Sequence, residues 1–393
     1  MRVALVTETY PPEVNGVAMT LGRLADGLRR RGHALHLVRP RQHRGESPAT
    51  EANFCELLVG SLPLPRYPGL RFGLPAQGAL LKAWREQRPD IVHVATEGPL
   101  GWSALAAARR LGLPVSSSFH TNFDAYSGHY GIGWMRGSIE RYLRHFHNRG
   151  QVTLVPTQGL AHRLAGAGFR NLMVMARGVD TALFNPQRRC EDLRRQWGAD
   201  ENTLVVATVG RMAAEKNLDL AVVAFEGLRR AYPNARMVFV GDGPQKSALA
   251  ARHPEHIFAG MRHGEDLASH YASADIFLLP SLTETFGNVT LEALASGLGV
   301  VAYASAAAFE LIDDGIDGLL APPGDERRFI QAAATLAADP GLLARLRLRA
   351  SARVARLGWD AIHDAFSGVL EELVLTRQRR QQYADSIIAV APD

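Results

Sequence analysis

Short apolar runs rich in Val, Leu and Ile alternate along the chain with longer stretches whose apolar positions recur every three or four residues. The first pattern suits strands buried on both faces, and the second suits helices with one apolar stripe. Their alternation predicts an α/β fold in which helices cover both faces of parallel sheets. One series of strands is expected near Arg2 to Thr7, Ala34 to Arg39, Phe54 to Val59, Ile91 to Ala95, Val115 to His120, Val152 to Pro156 and Leu172 to Met175. A second is expected near Leu204 to Val209, Arg236 to Gly241, His256 to Ala259, Ile276 to Pro280, Gly299 to Tyr303 and Gly318 to Ala321. Beyond Pro340 the periodicity predicts only helices, over Leu342 to Leu357 and Ala361 to Arg377.

A polar stretch from Asn185 to Asn202, holding Pro186 and Gly198, separates the two series. Residues 1–186 are therefore expected to form one Rossmann-like domain, 187–202 a linker and 203–358 a second such domain. Residues 359–393 are expected to be a helical segment crossing back to the first domain. Two such sheets facing each other leave a cleft at the carboxyl ends of their strands, where open α/β sheets bind ligands. Function is expected on the loops that follow the strands.

Composition keeps this picture and narrows it. At 393 residues, 47% hydrophobic and 21% charged, the chain has the profile of a globular protein of two domains. No apolar run reaches the roughly 18 residues needed to span a bilayer, and Glu8 with Pro11-Pro12 cuts short the only apolar run near the start, unlike a signal peptide. Cys55 and Cys190 stand far apart with no zinc or disulfide pattern, which fits a reducing cytoplasm. Charge is uneven: residues 1–190 carry +12, and residues 191–393 carry −7. A basic half suggests an anionic partner, either nucleic acid or an acidic membrane leaflet.

Four loops carry candidate chemistry. Gly210-Arg211-Met212-Ala213-Ala214-Glu215-Lys216 follows a strand and precedes a helix. The planar donor fork of Arg211 and the compact charge of Lys216 suit two adjacent phosphates, and a helix N-terminus adds favourable dipole. Glu284 lies on the loop after the strand ending at Pro280, and Glu292 falls about one turn inside the helix that Gly287 or Asn288 can begin. Each carboxylate can accept two hydroxyls, and the N–H groups of Phe286, Gly287 and Asn288 between them form an anion site. His120 ends a first-domain strand within Phe119 to Asp124, where polar residues replace an apolar run. Gly16 follows the first strand and can bring its backbone against a phosphate. The chain has neither GxGxxG nor GxxxxGK[ST], so neither the dinucleotide fingerprint nor the P-loop applies.

Jointly and in this order, these loops resemble the retaining GT-B glycosyltransferases often called family 4, including bacterial mannosyltransferases and glycolipid-forming enzymes. The resemblance covers essentially the whole chain. It rests on Glu284 to Glu292 as Glu-x7-Glu, Gly210 to Lys216 as G-R-x4-K, His120 in the stretch His120 to Tyr126, and Asn15-Gly16, where Asn15 replaces a common glycine. It implies a metal-independent transfer of a hexosyl group from a nucleotide sugar, GDP-mannose or a UDP-hexose, to a lipid or glycan. Arg211 and Lys216 would take the donor diphosphate, and Glu284 with the backbone of Phe286 and Gly287 the sugar. Glu292 would take the ribose hydroxyls, and His120 would contact the transferred sugar. Gly16 and Asn288 would complete the donor-binding set.

No two Asp residues are separated by a single residue, so no DxD is present to carry Mg²⁺ or Mn²⁺, and no cofactor is expected. The basic segments Leu62 to Phe72 and Arg136 to Arg149, the latter with Ile139, Tyr142, Leu143 and Phe146, suit peripheral docking on an anionic inner leaflet. Two other readings compete. A nucleotide-sugar epimerase would bind a donor without an acceptor, and a nucleic-acid-binding protein would use the basic half. The second lacks a recognition helix or an aromatic-basic sheet motif, so no nucleic acid is expected.

Overall fold

The computed structural model describes residues 1–13, 15–63, 71–120, 136–284 and 286–390. It divides into two compact units. The described residues of the first lie within Met1–Thr121, Trp134–Ala176 and Trp359–Asp393, and those of the second within Arg177–Gly358.

The first unit is built on β1 (Arg2–Val6), β2 (Ala34–Pro40), β3 (Thr50–Glu51), β4 (Phe54–Val59), β7 (Ile91–Val94), β8 (Val115–Ser118), β9 (Val152–Val155) and β10 (Leu172–Val174), with the short pair β5 (Ser61–Pro63) and β6 (Arg71–Gly73) between β4 and β7. The large sheet runs β10-β9-β8-β7-β1-β2-β4-β3 and is parallel apart from β3, which pairs antiparallel with β4. Both faces of β1 are apolar: Ala4 and Val6 enter one core, and Val3 and Leu5 the other. This double burial is why the strand reads as a continuous apolar run. The ends of the segment Leu62 to Phe72, expected as a loop, form the β5-β6 pair, with Leu62 opposite Phe72. Residues 64–70 within it lie outside the described residues.

The second unit carries β11 (Val205–Val209), β12 (Arg236–Val240), β13 (Ile257–Gly260), β14 (Ile276–Leu279), β15 (Gly299–Tyr303) and β16 (Leu319–Ala321), in the order β13-β12-β11-β14-β15-β16. Val205, Ala207 and Val209 face one core and Val206 the other, again the mark of a sheet covered on both sides. Strand order reverses between β11 and β14, which makes their carboxyl ends the switch point where such sheets take ligands.

The stretch 187–202, expected as a linker, is packed into the second unit. Its helix Glu191–Gln196 buries Arg194 completely. That guanidinium donates to the carbonyls of Ser273, Asp200 and Thr203 at 2.7–2.8 Å and to Asp275 at 3.2 Å. Asp275 also accepts from Arg189, Arg347 and the β11 amide of Val205. Two arginines of a stretch that resembles a linker, Arg189 and Arg194, are thus partners of one carboxylate.

The last helix is continuous over Trp359–Val390. Phe366 and Leu370 are fully buried in the core that holds Val3, Leu5 and Leu24. Close approach depends on Gly27 of the helix Gly16–Arg30: a β-carbon there would lie 2.3 Å from the ring of His363. Just past that helix, Arg31 bonds to Asp364 and His33 to Ser367 of the last helix, at 2.7 and 2.6 Å.

Candidate functional site

In the second unit, the loops after β11, β12 and β14 are knitted together backbone to backbone. Gly210 leaves β11 with φ 142°, and Met212 donates its amide to Asp242 at 2.9 Å. Gly241 and Gly243, with φ of 134° and 156°, lie so close that β-carbons would meet Gly210 O at 2.0 Å and Met212 O at 2.4 Å. Only glycine combines that backbone with that approach. A 3-10 turn, Ala214–Lys216, then leads through Asn217, in the left-handed region, into the helix Leu218–Arg229. Leu282 and Ser281 of the β14 loop bond to Glu215 O, so the Arg211 loop and the Glu284 loop are held side by side.

This arrangement brings Lys216 to Glu284, and the two form an ion pair with both side chains mostly covered. Arg211 is exposed and lines one cavity with Lys216, Gly210 and Pro280. Gly287, at φ 95°, caps the helix Asn288–Ala295 and turns the chain from the Glu284 loop into it. Phe286 is buried beneath this turn. Glu292 faces the same helix's partner Tyr271, whose hydroxyl donates to Oε2 at 2.9 Å. Burial pushes the Glu292 carboxyl up to about 7, an effect that the Tyr271 hydrogen bond partly offsets. Arg211, Lys216, Glu284, Phe286, Gly287, Asn288 and Glu292 therefore share the switch-point end of one sheet.

Three features escape a sequence reading. Arg177, with 7% of its surface exposed, donates to Asn288 Oδ1 at 3.1 Å and lies 5.4 Å over the Phe286 ring. Burial lowers its pKa to about 10, while the charge of Glu284 opposes the shift. It props the Glu284 loop from a position far away in sequence, so no local spacing could announce it. Tyr271 holds Glu292 in the same hidden way. The Gly241-Asp242-Gly243 pair was legible in principle, as two glycines directly after a strand.

In the first unit, Gly16 opens the helix Gly16–Arg30. Asn15 caps it, its Oδ1 accepting from Val17 and Ala18 at 3.1 and 2.8 Å while its amide donates to Thr9. Asn15 is extended, at φ −151°, so its position does not demand glycine. His120 follows buried Phe119 at the carboxyl end of β8 and is half-buried. Residues 121–126 of the stretch His120 to Tyr126 lie outside the described residues. Of the apolar residues on the helix Arg136–His147, Leu143 and Phe146 are buried, which removes them from any docking face; Tyr142 remains 40% exposed. No helix among the described residues is long and apolar enough to cross a membrane.

The family models match in the same two halves: "Glycosyltransferase Family 4" over residues 14–183 and "Glycosyl transferases group 1" over 203–339. A GDP-mannose-dependent alpha-mannosyltransferase of Mycobacterium tuberculosis is 36% identical over 377 residues, covering 94% of this chain and 96% of that protein. A sulfoquinovosyl transferase of Arabidopsis thaliana is 30% identical over 98% of this chain and 74% of its own. Among solved structures, a sucrose-phosphate synthase from Thermosynechococcus elongatus has a TM-score of 0.80 at 18% identity, covering 95% of this chain and 99% of that one. Anabaena Alr3699/HepE in complex with UDP-glucose reaches 0.74 at 20% identity, covering 95% and 100%. The chain belongs to glycosyltransferase family 4: it is a glycosyltransferase with the two-domain GT-B fold.

Proposed function

We propose that the enzyme transfers mannose from GDP-mannose to a lipid acceptor, with retention of configuration and without a metal ion. The observation that carries this reading is the set of cations and carboxylates at the β11/β14 switch point. The choice of donor follows three GDP-mannose-dependent relatives at 31–36% identity, and the choice of acceptor follows an alpha-monoglucosyldiacylglycerol synthase of Streptococcus pneumoniae at 28%.

In this reading Arg211 and Lys216 receive the donor diphosphate, joined by the N-terminus of the helix Asn288–Ala295. Lys216 then exchanges its Glu284 partner for phosphate, which frees Glu284 to accept sugar hydroxyls. Phe286, Gly287 and Asn288 supply the backbone of that pocket, and Glu292 accepts the ribose hydroxyls. His120 and Gly16 keep the roles that family resemblance implies, to sugar and phosphate respectively. As the bond from the sugar C1 to the diphosphate oxygen breaks, the acceptor oxygen bonds to C1 on the same face. Its proton passes to a phosphate oxygen of the departing GDP. The two cations stabilise the charge that develops on the leaving group, the task that a metal ion performs elsewhere.

Radiolabelled sugar transfer to membrane lipid extracts, run with GDP-mannose and UDP-glucose side by side in excess EDTA, tests this. Transfer from GDP-mannose should persist in EDTA and fall by at least about a hundredfold in Arg211→Ala, the scale of one lost transition-state contact. Transfer from UDP-glucose alone would overturn the donor, and a loss in EDTA that added Mg²⁺ or Mn²⁺ restores would overturn metal independence. The lipid acceptor also implies peripheral attachment, which flotation with anionic vesicles at physiological salt checks; no binding would remove that part.

A further inference from the structure

At the amino end of the second sheet, opposite the loops just described, His253-Pro254-Glu255-His256 joins the helix Lys246–Arg252 to β13. The turn is closed by the His256 amide donating to His253 O at 3.1 Å, with Pro254 in the position where its fixed φ favours a β-turn. The closure stacks the two imidazoles, 5.4 Å apart and 12° from parallel. Glu255 reaches back over them: its Oε1 lies 3.5 Å from His253 Nδ1 and 3.6 Å from His256 Nε2. The three ligand atoms all lie within 4.8 Å of one another.

The two Glu255 separations, 3.5 and 3.6 Å, are close to those between ligands of one ion, and the third pair, within 4.8 Å, requires the partly exposed His253 ring to turn inward. At 3.5 and 3.6 Å both histidine contacts are too long to be good hydrogen bonds. Ligand atoms on a tetrahedral zinc ion, at about 2.0–2.2 Å from the metal, stand roughly 3.3 Å apart. His256 supplies an independent sign. It is 93% covered, packed edge-on against Phe225 at 5.3 Å, and its Nε2 is buried with no hydrogen-bond partner among the described residues. A buried imidazole nitrogen left without a partner costs free energy unless something occupies it. Here it lies 3.6 Å from the Glu255 carboxylate.

The geometry points to a divalent transition-metal site, of zinc type, formed by His253 Nδ1, Glu255 Oε1 and His256 Nε2. Water completes the coordination. Two imidazoles and one carboxylate form a borderline-soft set that favours zinc or its neighbours over magnesium or calcium. The ion clips the end of the helix Lys246–Arg252 to the start of β13. It lies away from the diphosphate-binding loops, so the inference holds whatever the donor turns out to be. Its role is structural: it stiffens the helix whose first turn rests on Met212 through the Gln245 amide.

The test uses the full chain stripped with chelator, then titrated with zinc chloride by calorimetry while its melting temperature is followed. One equivalent is expected to bind, with the melting temperature rising as zinc increases. His253→Ala and Glu255→Gln change partly exposed side chains, so both should fold, and each should weaken zinc binding at least about tenfold. Zinc-edge absorption spectroscopy should show two imidazoles. Absence of binding at micromolar zinc, or binding that both variants leave unchanged, overturns the site.

Discussion

Glu292 is pulled in two directions, and pH separates them. Burial raises its carboxyl to about 7, and in the first unit burial separately raises Glu8 to about 7, where the backbone amides of Gly73 and Leu100 only partly offset the loss of water. A carboxyl whose folded pKa exceeds its unfolded value favours folding below the unfolded pKa, and that contribution is lost as pH rises through the folded one. Stability from these groups should therefore fall between about pH 4.5 and 7. In the proposed role of Glu292 donor binding runs the other way, since ribose hydroxyls bond best to the ionised form. The KM for donor should fall as pH rises from about 6 to 8, across the raised pKa. Glu292→Gln should raise KM and flatten that dependence. A profile equally steep in the variant would detach Glu292 from the donor. Legibility at this scale was uneven. Arg211, Lys216 and Glu284 stand out by charge on strand-following loops and Glu292 in the helix after one, whereas Arg177 and Tyr271 act only through contacts made by folding.

At the scale of elements, the loops owe their position to glycines more than to charges. Gly241 lies on Gly210 with no room for a side chain, and its φ of 134° is unfavourable for any other residue. Gly241→Ala should cost more than about 2 kcal/mol of unfolding free energy, because it combines a backbone clash with strain. It should also weaken donor affinity, by displacing the strand ends that carry Arg211. Denaturant unfolding and a donor titration measure both; a stable variant with unchanged affinity would show the close approach to be dispensable. Central strands such as β1 and β14 were legible because, buried on both faces, they are nearly unbroken apolar runs. The β5-β6 pair was not: it is short, includes Pro63, and its pairing depends on long-range register rather than alternation. Nor was the packing of 187–202, where Arg189 and Arg194, in a stretch that reads as a linker, reach Asp275.

For the molecule as a whole, the chain ends by returning a long helix to the unit in which it began, and the contact turns on one missing β-carbon. Gly27 allows His363 to sit where an alanine methyl would be 2.3 Å from the ring. The nearest atoms belong to a ring on a helix packed by Phe366 and Leu370, so the neighbour cannot simply swing aside. Gly27→Ala gains about 1 kcal/mol in helix propensity. Overpacking of this kind typically costs about 1–3 kcal/mol, and the depth of this overlap places the net effect on the destabilising side. His363→Ala alone leaves a gap and also destabilises. The two changes together should be less harmful than the sum of their separate effects, because the smaller side chain makes room for the added methyl. A double-mutant cycle by denaturant unfolding should show that coupling, on the order of 1 kcal/mol or more. Additive losses would mean that the two helices do not meet at this pair, and the return of the chain to its first unit would have to be held elsewhere.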